Sequence, residues 1–315
     1  MQNTKNSDTP SHPETSLIDR IINNQAILGY LFILPSLIGF IAFYAYPAGR
    51  ALGISFLEWN LLSDPEFVGL ANYQEIFEDD RFWNSMRVTL YYVVLNIPIQ
   101  TALAVFMAVL LERFSVALST LLRSVMILPW LMPNVIVALL WLWILDPSVG
   151  VANVFLNAIG ISDQPFLGSP GQAMPYIAAI SIWRHAGYNA ILVFAGLKTI
   201  PKSLYEASAI DGSNAWSDFW NITLPLLRPV LVFVLVTSVI GSFQVFDTIA
   251  VTTEGGPAGA TRVIMFYIVD EVFNRRISMG TATAASVVLF TILVSVTIIQ
   301  TRFLQADQSD LADYS

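Results

Sequence analysis

The sequence predicts an all-α, polytopic membrane protein of about six transmembrane helices, with a short polar helical excursion between the fourth and the fifth. Two observations carry this expectation. Hydrophobic residues make up 55% of the 315 and charged residues only 12%, at a mean hydropathy of +0.64. The apolar residues are also gathered into six runs, 27–48, 88–111, 124–145, 174–197, 224–248 and 281–301, each reaching the ~20 residues that a helix needs to cross ~30 Å of hydrocarbon. Four of the six contain no charged side chain, and charges bracket the runs instead: Arg87 and Glu112 flank the second, Arg123 and Asp146 the third, and Arg302 follows the sixth.

Residues 1–13 are polar, contain two prolines, and are expected to be disordered. Residues 14–25 place Leu17, Ile18, Ile21 and Ile22 on one side, as an interfacial helix does. This polar leader of 26 residues holds three acidic groups, and no small-residue cleavage site follows the first apolar run, so 27–48 reads as a retained span and not as a signal peptide. The chain then divides into an N-terminal segment, 1–26, a spanning domain, 27–305, and a tail, 306–315. Three segments on the far side, 49–85, 146–173 and 249–280, are too long for simple turns. Within the last, Val263 to Val269 is apolar but stops at Asp270-Glu271. About ten apolar residues cover half the hydrocarbon core, so an amphipathic helix on the outer face is expected there, leading into Gly280.

Six spans leave both ends on one side. Lys5, Arg20, Arg113, Arg123, Lys198, Lys202, Arg228 and Arg302 fall in or beside segments on that side, eight against six (Arg50, Arg81, Arg87, Arg262, Arg275 and Arg276) on the other, and the loop 146–173 has no Lys or Arg. Positive residues mark the cytoplasm, so both termini and the 198–223 loop are expected there.

That loop is the most specific stretch of the chain. Ser203-Leu204-Tyr205-Glu206 reads as a capping box at the start of a short helix, just after Pro201. Gly212 supplies the positive φ at which that helix can stop and turn. A second short helix is expected from about Asn214 to Asn221, with Thr223 and Pro225 opening the next span. Tyr205, Ile210, Trp216, Phe219 and Trp220 give the excursion an apolar content that capping and stopping alone do not explain.

Several chemistries are excluded or disfavoured. The chain has no cysteine, hence no disulfide or thiol chemistry, and only two histidines, His12 and His185, too few for a histidine-built metal centre. A net charge of −8 disfavours nucleic acid as a partner. No G-x-x-x-x-G-K-[ST] loop occurs, so if ATP drives this system another polypeptide binds it.

The spacing Glu206-Ala207-Ser208, three residues, Gly212, nine residues, Ile222-x-Leu224-Pro225 resembles the coupling-loop signature of the membrane-spanning subunits of bacterial ABC importers, with Ser208 where that signature usually has alanine. That small-for-small change is expected to leave the packing unaltered. Further motifs in order resemble the carbohydrate-type permeases of that family, which serve maltose, glycerol-phosphate and other sugar or polyol systems: Phe67-Val68-Gly69-Leu70-x-Asn72-Tyr73, Phe82-Trp83, Ile127-Leu128-Pro129-Trp130-x-x-Pro133, Gly150-Val151-x-Asn153, Thr252-x-Glu254-Gly255-Gly256-Pro257-x-x-x-Thr261 and Gly280-x-Ala282-x-Ala284-Ala285-Ser286. The resemblance spans roughly residues 27–305. It implies a multi-pass permease subunit in the plasma membrane of a prokaryote, moving a sugar or polyol. The 203–213 helix would couple to a cytoplasmic ABC ATPase dimer through Glu206, Ala207, Ser208, Asp211, Gly212, Ile222, Leu224 and Pro225. ATP and Mg would reside on that ATPase, with no cofactor on this chain, and the further partners would be a second, different permease and an extracytoplasmic solute-binding protein. The alternatives are a permease for a non-carbohydrate solute, an ATPase-independent carrier, disfavoured by the docking loop and the lack of inverted repeats, and a membrane-embedded enzyme, disfavoured by the lack of a nucleophile–base or metal constellation.

Polar side chains inside spans are expensive and face a bundle interior or a watery cavity. Arg184, Asn189, Ser242, Gln244 and Asp247 form the candidate pathway. Arg184 is near mid-span and either lines the cavity or ties two helices; Asp247 either caps backbone or faces the cavity mouth. Bonding between helices accounts for Asn96, Gln100 and Asn134 at least as well as ligand contact does, and His185 reads as a packing residue. Trp183, Tyr188, Phe243 and Phe246 suit sugar-ring stacking and equally suit lipid-facing belts. Ala282, Ala284, Ala285 and Ser286 are expected to allow close packing with a partner subunit.

Overall fold

The computed structural model describes residues 25–275 and 278–305. The two terminal segments, with nearly all of the interfacial stretch 14–25, lie outside the described residues. By contacts the chain forms two units, Met1–Gly53 and Ile54–Ser315. In the first, α1 (Gln25–Phe40) continues through a π turn (Ile41–Ala45) into α2 (Tyr46–Ile54). Its apolar stretch buries none of its side chains within the chain, an arrangement suited to a helix whose solvent is lipid.

The second unit begins with a two-residue hairpin, β1 (Leu57–Glu58) and β2 (Glu66–Phe67), followed by α3 (Ala71–Glu78), the 33-residue α4 (Asp80–Glu112), α5 (Val116–Met126), α6 (Leu128–Leu131), α7 (Asn134–Ile144) and α8 (Val151–Ala158). Then come α9 (Ala173–Leu197), the loop helices α10 (Lys202–Ile210) and α11 (Ala215–Asp218), a π turn (Phe219–Thr223) and α12 (Leu224–Leu226). The remainder is α13 (Arg228–Phe243), α14 (Asp247–Thr252), α15 (Ile264–Asp270), a π turn (Glu271–Arg275) and α16 (Met279–Gln305). Asp79 starts α4 by accepting from the Arg81 amide at 2.8 Å, and Ser115 caps α5.

α4 and α9 form the principal helix pair, with α13 against α4 and α16, and α14 against α7. One apolar cluster joins α3, α4, α13, α15 and α16 around Ile76, Phe82, Tyr267 and Ala284. A second joins α4, α7 and α9 around Tyr92, Val137 and Ile177, and a third joins the other ends of α4, α9 and α13 around Ala108, Val193 and Val234. Ala282, Ala284 and Ala285 are fully buried in the first cluster. Their small size serves packing inside this chain and not, as expected from the sequence, packing against a partner.

The six expected spans are only partly reproduced. Four helices are long and apolar enough on their own: Ile27–Ile54, Asp80–Glu112, Arg228–Thr252 and Met279–Arg302. The run 124–145 is not one helix. Val116–Leu131 and Asn134–Ile144 meet at 95°, because Pro133 has no amide hydrogen to give and holds Met132 in an extended conformation (φ −73, ψ 139). α9 has the length, 25 residues, or about 37 Å, but Arg184, His185 and Asn189 lower its hydropathy. Six is reached only by counting the broken pair as one span and α9 on length alone. The run 224–248 likewise starts as short turns and becomes continuous at Arg228, with a short interruption at 244–246 inside the Arg228–Thr252 span. Of the stretch Val263–Val269, Val263 is the cap and the rest lies in the seven-residue α15, short of a span as expected.

Two glycines mark backbone contacts that admit no side chain. A Cβ on Gly187 would collide with the Met126 carbonyl at the end of α5, and one on Gly280 would collide with the Leu57 carbonyl and Asn72. Asn72 donates to the Ser55 and Leu57 carbonyls at 2.9 Å, and the Met279 amide donates to Trp59 O at 2.8 Å, so the hairpin is tied to the head of α16. Gly187→Ala and Gly280→Ala are each expected to destabilise by about 1–3 kcal/mol through overpacking. Gly241→Ala, at a helical glycine with open space around it, should be neutral or slightly stabilising. Thermal unfolding of the three variants in one detergent checks this; a Gly187→Ala protein as stable as Gly241→Ala would refute the contact.

Candidate functional site

Between α4, α7, α9, α13 and α14 lies a cavity of about 390 Å³. All five candidate pathway residues, Arg184, Asn189, Ser242, Gln244 and Asp247, line it. Arg184 also ties helices together. Its Nη2 donates to the carbonyls of Trp130 at 3.2 Å and Met132 at 3.0 Å, at the break in the α6–α7 span, where the helical ladder is interrupted. The two roles expected as alternatives coincide in one side chain.

His185 completes that arrangement. Its Nδ1 faces the Ser181 carbonyl at 2.8 Å, and its Nε2 faces Arg184 Nη1 at 3.0 Å. A carbonyl only accepts, which puts the proton on Nδ1, and Nε2 then accepts from the guanidinium. His185 is therefore neutral and is part of the cavity wall, not a packing residue apart from the site. One helical turn from Arg184, the Tyr188 ring stacks on Trp130 with centroids 4.4 Å apart and planes 8° from parallel.

The remaining polar groups are paired across helices. Asn96 Nδ2 donates to Ser242 Oγ at 2.9 Å and Gln100 Nε2 to Ser238 Oγ at 3.2 Å, joining α4 to α13. Asn134 Nδ2 donates to Asp247 Oδ2 at 2.8 Å, joining the first residue of α7 to the first of α14. Tyr92 OH donates to Ser181 Oγ at 2.7 Å. Asn96, Gln100 and Asn134 thus make the interhelical bonds expected of them while still lining the cavity. Two buried atoms in this wall have no partner, Asn96 Oδ1 and Arg184 Nε.

Of the four aromatics singled out, Tyr188 and Phe246 line the cavity. Trp183 packs edge-on against Trp141, and Phe243 is buried in the first apolar cluster. Tyr92, Trp130, Thr237 and Ser238 line the cavity without having been identified from sequence. A signal for Ser238 was present: Asn96 and Gln100 are four residues apart, as are Ser238 and Ser242, and polar pairs at i, i+4 share one helix face.

The loop between α9 and α13 is built as a rigid unit. Its capping box is not formed: Pro201, in extended conformation (φ −63, ψ 131), occupies the cap position, no side chain caps the helix, and Ser203 lies within the first turn. Glu206 is exposed and free of capping duty. The far end is a full Schellman closure, with Ser213 N donating to Ser208 O at 3.1 Å, Gly212 N donating to Ala209 O at 3.2 Å, and Gly212 at φ +80. Asn214 then caps α11 by accepting from the Trp216 and Ser217 amides.

Asp218 accepts hydrogen bonds from the hydroxyls of Ser208 and Ser213, and these two bonds hold its carboxyl below the usual carboxylate range. Ser208, expected to be a silent exchange, thus links α10 to α11 through a bond that alanine does not offer. Tyr205 OH and Thr223 Oγ1, 2.9 Å apart, close the loop onto its base. Glu206, Ala207, Asp211, Gly212 and Pro225 are exposed, while Ile222 and Leu224 are half-buried. Ile210 is 87% and Trp216 71% exposed, an apolar surface beside two buttressed helices.

Residues 100–306 match the model of the family described as binding-protein-dependent transport system inner membrane component. The chain is 34% identical over 287 residues to the sn-glycerol-3-phosphate transport system permease protein UgpA of Agrobacterium fabrum, covering 90% of this chain and 97% of that one. It is 33% identical to the trehalose/maltose transport system permease protein MalF of Thermococcus litoralis, over 91% and 96% of the two chains. A bacterial alginate ABC transporter, solved in complex with an alginate pentasaccharide-bound periplasmic protein, superposes with a TM-score of 0.76 at 26% identity, over 91% of this chain and 96% of that one. The chain belongs to the binding-protein-dependent transport system inner membrane component family, the membrane-spanning permeases of ABC importers.

Proposed function

We propose that this permease carries a sugar or related polyol inward through the α4–α7–α9–α13–α14 cavity, driven by a separate cytoplasmic ATPase dimer seated on the α10–α11 loop. The observation that carries the reading is that loop: two short helices locked by a Schellman closure and the Asp218–serine bonds, presenting exposed Ile210 and Trp216 between two long helices. A stiff element with an apolar face transmits a push, whereas a floppy one absorbs it. Mg-ATP would be hydrolysed on the ATPase. A second, different permease would complete the pore, and a solute-binding protein would deliver substrate from outside, as the complex of the alginate transporter with its periplasmic protein supports. The carbohydrate reading is supported by the relatives' glycerol-phosphate, trehalose/maltose and alginate systems and by the hydroxyl-, amide- and aromatic-rich wall.

In this reading, ATP-driven closure moves α10 and, through the Tyr205–Thr223 contact, the adjoining ends of α9 and α13. The 95° break, pinned by Arg184, takes up the change in tilt on the far side of the cavity.

Three outcomes test this. With both termini and the loop in the cytoplasm, a reporter fused after Lys202 should read inside and one within 150–165 outside; the opposite result at either point inverts the topology. Gly212→Asp places a side chain on a left-handed backbone and a second acid beside Asp211, and transport should fall by at least about tenfold while the protein remains inserted. Glu206→Lys should reduce co-purification of the ATPase without loss of helix stability, since Glu206 caps nothing. Normal transport and normal ATPase recovery in both variants, at normal abundance, would remove the docking assignment.

A further inference from the structure

We propose that this chain's wall of the cavity receives an uncharged, hydroxyl-rich solute and discriminates against phosphorylated and uronate-type sugars. This rests on the cavity being the pathway and goes on to name the charge class of the cargo, a point on which the relatives' systems differ, with sn-glycerol-3-phosphate and the acidic polysaccharide alginate on one side and trehalose or maltose on the other.

Arg184 is the sole cationic side chain among the lining residues, apart from the neutral His185, and it is not available as an anion receptor. A guanidinium grips phosphate or carboxylate through a two-pronged edge, and each such edge, Nη1/Nη2 or Nε/Nη2, includes Nη2. Here Nη2 is committed to the carbonyls of Trp130 and Met132, and Nη1 is shared with His185. What remains is one further N–H on Nη1 and the buried, unpartnered Nε–H, which are not neighbours on a common edge and so offer no two-pronged grip.

The rest of the wall points the same way. Asp247 lies within electrostatic reach of Arg184 and lines the same space, so the lining pair sums to no net charge and an incoming anion meets a carboxylate. Asn96, 97% buried, spends an amide hydrogen on Ser242 and leaves its Oδ1 acceptor unpartnered in the wall. Acceptors repel anionic oxygens but take the proton of a hydroxyl. Gln244 and Thr237 add groups that both donate and accept, the requirement of a hydroxyl, which does both. The stacked Trp130–Tyr188 pair supplies the flat apolar wall against which the C–H face of a sugar ring packs. A site tuned to an anion would instead carry free donors in excess.

The test uses the complex of this chain with its partner permease and ATPase, with Gln244→Cys as the unique thiol of a cysteine-free chain. Maleimide labelling is timed with neutral probes (trehalose, maltose, raffinose, sorbitol) and with anionic ones (sn-glycerol 3-phosphate, an alginate disaccharide). At least one neutral probe should slow labelling several-fold, and the anionic probes should not. Protection by anionic probes, alone or equally with neutral ones, or by no probe of either class, overturns the proposal. Calorimetric titration of the same probes into the unsubstituted complex decides the point if Gln244→Cys does not assemble. The two readings fail separately. A thiol at 244 that no nucleotide state exposes refutes the pathway and this inference with it, whereas an exposed thiol protected by anions refutes the inference alone.

Discussion

Arg184 donates from α9 into two carbonyls at the proline-made break of the neighbouring span, and the geometry of the cavity follows from that contact. Without it the two carbonyls at the break would lose their side-chain donor, and a backbone carbonyl left unpaired away from water costs several kcal/mol. Without them a guanidinium would lie in a mostly apolar helix with little to offset its desolvation. Each defect supplies what the other lacks. The neutral His185 adds an acceptor that a protonated ring would not provide, and Tyr188 lays its ring on Trp130, so a sharply bent segment is held at one place by hydrogen bonds and stacking together.

From that point α9 runs to the loop. Near its far end Lys198 pairs with Glu112 at 3.0 Å, and both Lys198 and Arg123 lie over the Phe194 ring. The Glu112 pair is exposed and worth little in itself, but it joins α9 to the end of α4, the helix against which α9 packs most extensively. Cavity wall and loop thus belong to one helix, and the loop's internal bonds keep α10 and α11 from yielding separately.

Much of this was legible in the sequence because membrane burial writes itself in runs of apolar residues and because a glycine at a helix stop has a local mechanism. The five pathway residues were identified on polarity within apolar runs, and all five converge. What escaped was set by nonlocal geometry. The capping box failed because Pro201 already filled the cap position. The alanines at the head of α16 were assigned outward, but Ala282, Ala284 and Ala285 are buried in the cluster shared with α3, α4, α13 and α15, a packing between segments up to about 200 residues apart that no local pattern records. The break in the third apolar run had its cause in view, Pro129 and Pro133, but proline is tolerated in spans when neighbours re-satisfy the backbone, and the neighbour, Arg184, is more than fifty residues away. Ser208 carries a bond whose acceptor, Asp218, lies on the next helix.

The polarity that makes α9 useful in the cavity has a consequence for how the chain is made. A helix centred on Arg184, His185 and Asn189 enters a bilayer poorly by itself, since an arginine at mid-depth carries a penalty of about 2.5–3.5 kcal/mol even on insertion scales. The carbonyls that accept from the guanidinium, those of Trp130 and Met132, are encoded earlier in the chain. During synthesis those partners emerge first. Insertion of α9 is thereby tied to the prior presence of the broken helix, and the order of translation is the order in which the cation finds these acceptors.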